Sequence, residues 1–290
     1  MDVQTLTEHL VELIRLTATD LPQDVEEALI KAKDQEEGRA KSTLEWMLKN
    51  AREARENSLP LCQDTGTLIF HVEHGQDIST RMVTEAARRA ASEATKRIFL
   101  RPNAVDPISG KNSGDNTGHG APYLHFEEVD KQGWLKVSLM LKGGGCENCG
   151  IQYSLPDSSL NAGRDMAGIK RCILDAALKA QGFGCAPGTL GVGVGGDRTT
   201  SYMESKLQFM RKLDDENRDD LLAQVEREMH EKVNELGIGP MGFGGKNSIL
   251  GVKIGIRHRL PASFFVSVSY MCWAFRRHSM IVESDTVSYQ

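Results

Sequence analysis

The chain has 290 residues, 40% of them hydrophobic and 26% charged, close to the average of folded globular proteins. That excludes a disordered, collagen-like or coiled-coil chain and suits one large domain or two small ones. Lys and Arg number 35 and Asp and Glu 40, a net charge of −5, which argues against general nucleic-acid binding, since that rests on clustered basic charge.

No apolar stretch approaches the ~20 residues that span a membrane. The opening residues, Met1 to Leu10, show neither a basic start nor an apolar run, so no signal peptide and a cytoplasmic location are expected. In a reducing compartment the six cysteines are expected to be thiols, metal ligands or catalytic groups. Glycine is the compositional outlier. Its 28 residues gather in short runs, the mark of unusual backbone or of close approach.

In chain order, Leu6, Leu10, Leu13 and Ile14 recur at helical spacing. A second helix is predicted from Asp20, with Pro22 in its first turn and Val25, Leu29 and Ile30 as its apolar face. A third carries Leu44, Met47, Leu48 and Ala51. Leu68, Phe70 and Val72 alternate as in a strand, and residues 80–98 form an Ala-rich helix. An irregular Gly- and Pro-containing loop then runs over 101–123; a loop of that length is commonly functional. Strands are predicted at 124–129, 134–141, 249–256 and 263–270, and helices at 164–181, 200–212 and 216–236. The fold class is therefore α/β (mixed α+β): an N-terminal helical segment followed by mixed sheets flanked by helices.

Cys62, Cys185 and Cys272 each sit where an apolar segment meets a Gly-, Pro- or Arg-containing turn. Two readings stand. They are buried small hydrophobes, or three thiolates that converge on a metal and leave one position open for Lewis-acid chemistry. Cys146 and Cys149 form a C-x-x-C pair with no second pair at zinc spacing. His71 and His74 fall on a predicted strand and face opposite sides. Cys172 lies with Met166, Ile169 and Ile173 on the apolar face of its helix. Gly191 to Gly196 matches G-x-G-x-x-G, but Cys185-Ala-Pro-Gly-Thr-Leu190 is a poor first Rossmann strand. The alternation of glycine and valine instead suits a strand with one bare face against which something packs. Arg101, Arg276 and Arg277 offer planar forks suited to carboxylates, or are solvated surface charges.

Taken together, Cys62-Gln-Asp-Thr-Gly66, Asn116-Thr-Gly118, Lys142-Gly-Gly-Gly145 with Glu147-Asn148, Cys185-Ala-Pro-Gly188, Gly239-Pro-Met-Gly-Phe-Gly-Gly245 and Cys272-Trp-Ala-Phe-Arg-Arg277 resemble the iron–sulfur class I fumarate hydratases and, equally, the α subunits of L(+)-tartrate dehydratase. The resemblance covers residues 5 to 283. It implies one hydro-lyase α-type domain over 1–290 and a [4Fe–4S] cluster held by Cys62, Cys185 and Cys272. It also implies a small dicarboxylate substrate contacted by Gln63, Arg101, Gly144 and Gly145, with Arg101 anchoring a carboxylate and Gln63 orienting it. Asp64 would join the proton transfer. The expected reaction is reversible hydration of fumarate to L-malate, with tartrate dehydration to oxaloacetate as the alternative.

Three departures from the family pattern stand out. Cys146 stands where fumarases read serine, as in tartrate dehydratase α subunits; Ala186 replaces a proline; and Asp197-Arg198 replaces a threonine after Gly195-Gly196. Single-chain members of the family continue into a second domain. The resemblance therefore implies a β subunit that completes the site, in a hetero-oligomer of two α and two β chains. Two rival classes remain at this point: an iron–sulfur protein that senses or stores, and a nicotinamide oxidoreductase built on Gly191–Gly196.

Overall fold

The computed structural model describes residues 2–283 and 286–290. The chain divides into two compact units, one drawn from Met1–Pro22, Lys49–Gly144 and Arg276–Gln290, the other from Gln23–Leu48 and Gly145–Phe275. Helices and mixed sheets alternate along it, which is the mixed α/β class expected from the pattern.

In the first unit, helix α1 (Val3–Thr19) opens on Asp2, whose carboxylate accepts the Thr5 N–H at 2.8 Å, satisfying one of the donors a helix start leaves free. Helix α2 (Gln23–Gln35) and the first half of helix α3 (Gly38–Asn57) belong to the second unit. Helix α2 begins one residue after Pro22, not at Asp20. The Asp20 carboxylate is drawn to the Leu21 N–H and to Arg55 Nε at 2.5 Å. Strand β1 (Thr67–His74), helix α4 (Thr80–Lys96), strand β2 (Tyr123–Glu128) and strand β3 (Trp134–Lys142) follow.

Two strands near the end, β8 (Arg276–Glu283) and β9 (Thr286–Tyr289), complete a sheet of order β2-β1-β3-β8-β9. The β1–β2 pairing is parallel and the rest antiparallel. Leu6, Leu10, Leu13 and Ile14 of α1 pack with the alanine face of α4 and with Phe70, Val72, Val137, Leu139 and Leu141 of the sheet. Each fully buried large side chain contributes about 1.5–3 kcal/mol. Alanines on α4 let that helix lie close to α1.

His71 of β1 pairs with His125 of β2, and their rings stack with centroids 5.0 Å apart. Burial, and then the neighbouring His125, push the His71 pKa down from 6.5 to about 4. Between these values the unfolded chain takes up a proton that the folded chain refuses. Stability is therefore full above pH 6.5 and is lost as pH falls toward 4, by roughly 3 kcal/mol from this group. A His71→Gln chain is expected to show a flatter stability profile across that window in urea unfolding. An unchanged slope would mean that His71 titrates normally in the fold.

The second unit contains the short helix α5 (Gly144–Asn148) from its second residue on, strand β4 (Ile151–Ser154), helix α6 (Met166–Ala180), strand β5 (Gly188–Gly195), helix α7 (Arg198–Leu207), helix α8 (Asp220–Asn234), strand β6 (Ile249–Arg257) and strand β7 (Phe265–Met271). Its sheet runs β4-β7-β5-β6, with β5 parallel to β6 and antiparallel to β7. Helix α7 ends at Leu207, short of the predicted 212, and passes into a single tighter turn to Met210. Cys172 is fully buried on α6, as its position on the apolar face required.

The glycine run becomes β5, and what packs on its bare face is the helix that follows it. A β-carbon on Gly191 would lie 2.1 Å from the Ser205 carbonyl oxygen, and one on Gly193 2.1 Å from that of Ser201. Ser201 and Ser205 seal the contact through Ser267 and Ser269 of β7. A Gly193→Ala chain must push backbone against backbone, so a loss of about 3 kcal/mol is expected, at the upper end of over-packing costs. Thermal melts should show it, with Gly118→Ala, where a β-carbon meets nothing within 4 Å, as the near-neutral control. Equal melting of the two variants would contradict this packing. Among the described residues no helix is long and apolar enough to cross a membrane.

Candidate active site

One end of the first unit's sheet gathers much of the conspicuous chemistry. There β1 begins, β3 ends and β8 begins, with Thr67 opposite Lys142 and Leu141 opposite Arg276. The Cys62–Gly66 turn leads into β1. Within it, Asp64 Oδ1 accepts the Gly66 N–H at 3.0 Å and Oδ2 accepts the Gly144 N–H at 2.7 Å. The carboxylate is thus tethered to the turn after β3, and a β-carbon on Gly143 would lie 2.8 Å from Asp64 Oδ2. Glycine at 143 is what lets that turn close over the carboxylate. Asp64 stays partly exposed, while Gln63, Gly144 and Gly145 are exposed. The Gly144 N–H, expected to face substrate, is engaged by Asp64.

Arg101 is placed by its backbone. Its N–H donates to Thr65 Oγ at 3.1 Å, and its carbonyl accepts from Asn116 Nδ2 at 2.9 Å. Asn116 is buried, takes a left-handed φ of +61° and also accepts the Asn103 N–H through Oδ1. At the far end of the loop, Arg88 Nη1 donates to the carbonyls of Gly118 and Ala121, each at 3.2 Å. The long loop is therefore pinned at both ends, and the exposed Arg101 side chain starts from a fixed point.

Two cations at this end of the sheet are buried, Lys142 and Arg276, at 2% and 1% exposure. Arg277 is buried as well, so neither arginine after Cys272 is a solvated surface charge. Among the described residues, Arg276 Nε and Nη1 meet no hydrogen-bond acceptor. A buried guanidinium with open donors has the chemistry to receive an anion.

In the second unit, Cys185 and Cys272 come together through the backbone, since the Trp273 N–H donates to the Cys185 carbonyl at 3.1 Å. Both are partly exposed. Cys185 adopts φ +56°, a conformation that costs a non-glycine residue about 1–2 kcal/mol and clusters at functional sites. Tyr270 sits beside them, 3% exposed, and its hydroxyl has no partner among the described residues. Burial raises its pKa above the usual tyrosine value, helped by Cys272, Cys149, Cys185 and Cys146.

Cys62 belongs to the first unit. Among the described residues no three or more His, Cys, Asp or Glu side chains are grouped as a ready metal cage. The residues present nevertheless fit a sulfur-rich group. Cys185 and Cys272 are partly exposed and linked through the Trp273 N–H, and a buried hydroxyl donor beside them lacks an acceptor among the described residues.

Lys142 was quoted in its glycine motif without a role, and Tyr270 escaped the sequence reading. Lysine ending an apolar alternation just before a glycine run was a visible signal for the first. For the second the local signal was its place two residues before Cys272, while the rest of its surroundings come from residues 146–188.

The residues matched by the family model for fumarate hydratase (Fumerase) are 7–281. A protein of Geobacillus stearothermophilus whose name is that of a class I fumarate hydratase is 47% identical over 98% of this chain, which spans 56% of that relative's length. A Methanocaldococcus jannaschii protein whose name is that of an L(+)-tartrate dehydratase α subunit is 34% identical over 97% of this chain and 98% of its own. The L(+)-tartrate dehydratase α subunit of Escherichia coli K12 is 30% identical over 98% of this chain and 92% of its own. With nearly every residue matched, the chain belongs to the fumarate hydratase (Fumerase) family.

Proposed function

We propose that this chain is the α component of a hydro-lyase that interconverts fumarate and L-malate. The observation that carries the reading is the Asp64 carboxylate, tethered by the Gly66 and Gly144 N–H groups at the sheet end that also holds Lys142 and Arg276. A carboxylate so tethered keeps free lone pairs and a fixed direction, which suits moving a proton to or from the carbon beside a substrate carboxylate. Arg101, Arg276 and Gln63 would hold the substrate's carboxylates, and the exposed backbone at Gly145 gives close access.

Cys62, Cys185 and Cys272 would hold a [4Fe–4S] cluster, which supplies, when bound, a Lewis acid for the hydroxyl that leaves or enters. The relatives that match this chain along nearly their whole length are named as α subunits, which supports a β chain completing the site; the assembly proposed has two α and two β chains. The same two names favour tartrate dehydration as the second reading. A cytoplasmic location accords with six cysteines that remain thiols.

The test is anaerobic reconstitution followed by assay with a β chain co-expressed. About four iron and four sulfide per chain, the content of a [4Fe–4S] cluster, with fumarate turnover, is expected. Turnover of tartrate in preference selects the second reading. Zinc or no metal at all retires both.

A further inference from the structure

Tyr270 has a role that neither the fold nor the cysteine ligands assign. Its ring is clamped by two glycines. A β-carbon on Gly184 would fall 2.4 Å from its Cε1, and one on Gly188 2.3 Å from its Cζ and 2.4 Å from its hydroxyl oxygen. Ring and hydroxyl therefore have one position. That position is buried, and no acceptor reaches the hydroxyl among the described residues. Phenylalanine would fill the same slot without burying an unsatisfied donor, so the hydroxyl destabilises the fold unless something accepts its hydrogen. The ring lies against Gly184 and Gly188, the glycines that flank Cys185, and Cys272 follows Tyr270 two residues later on the same strand end. A neutral thiol is a weak acceptor. A thiolate or sulfide bound to iron carries negative charge and accepts well, and such bonds tune an iron–sulfur centre.

We infer that Tyr270 is a positioning residue whose hydroxyl donates to a sulfur of the centre held at Cys185 and Cys272, fixing its orientation and raising its reduction potential. The inference rests on the proposed iron–sulfur reading. It makes Tyr270 part of the surroundings of the centre and not a ligand or a catalytic group.

The experiment uses the full chain, reconstituted anaerobically with iron and sulfide. Tyr270→Phe is expected to bind iron and sulfide at the wild-type ratio, with a reduction potential shifted negative in an EPR-monitored titration. Its iron–sulfur stretching bands should lose part of the shift that wild type shows on transfer to D2O. A second variant, Tyr270→3-fluorotyrosine, strengthens the donor and keeps the ring, so its potential should move positive. Wild-type potential and bands in both variants would overturn the inference while leaving the iron–sulfur reading intact. A wild-type chain that takes up no iron would overturn both.

Discussion

A Cys185→Ser chain reconstituted with iron and sulfide is expected to retain less than one iron where wild type retains about four, and Cys272→Ser to behave the same way. The two residues are joined by the Trp273 N–H to the Cys185 carbonyl, so in the proposed centre the loss of either thiolate would leave the other in an incomplete ligand set. Cys62→Ser, on the first unit, should lose the fourth iron or the whole cluster. Cys172→Ala is the control. Its thiol is fully buried on α6, and burial pushes its pKa up to about 12, so it offers no thiolate at neutral pH. Its iron content should match wild type. The measurement is iron and acid-labile sulfide per chain, with a melting curve to show that each variant folds. Full iron content in Cys185→Ser would remove that residue from the ligand set.

Asp64→Asn should lower kcat by roughly 10²–10⁴-fold, the usual share of a positioned acid–base group, with iron content unchanged. The substitution removes the ionisable proton site and disturbs its tether. Both Asp64 oxygens accept backbone N–H groups, and an amide has only one oxygen to offer, so one N–H would face an NH2. That mismatch costs about 1–3 kcal/mol of stability, which a urea titration would register. The kinetic readout separates the roles. A fall in kcat with loss of one limb of the pH–rate profile supports proton transfer at Asp64. A rise in KM alone would make Asp64 a substrate-placing residue, as proposed for Arg101.

Much of the fold was legible locally. Helices α1, α4 and α6 and strands β1, β3 and β6 follow from apolar spacing, since a face that repeats every 3.6 or 2 residues is buried whatever it meets. The bare face of β5 was legible for the same reason, as alternating glycines remove side chains from one side only. Strands β8 and β9 were not. The start of β8 is Arg276-Arg-His-Ser279, with no alternation, and its pairing with β3 is what makes it a strand.

The candidate site divides in the same way. The ordered motifs around Cys62, Gly143, Cys185 and Cys272 identify the family from the chain alone, because several short motifs in one order are far more specific than any single one. Sequence also placed Arg276 and Arg277 beside Cys272 but left open whether they were solvated. The sheet decided that, by burying both.

Within each unit the satisfaction of a donor or acceptor was settled only by the tertiary structure. Asp64 and Gly144 are 80 residues apart, and the neighbours of Tyr270 come from strands and turns scattered over the second unit. Composition, helix and strand periodicity and motif order are properties of neighbouring residues, so the sequence by itself determined the fold class and the family. Whether a carboxylate is tethered, a guanidinium is left with open donors or a hydroxyl lacks an acceptor depends on which distant backbone arrives beside it, and only folding decides that.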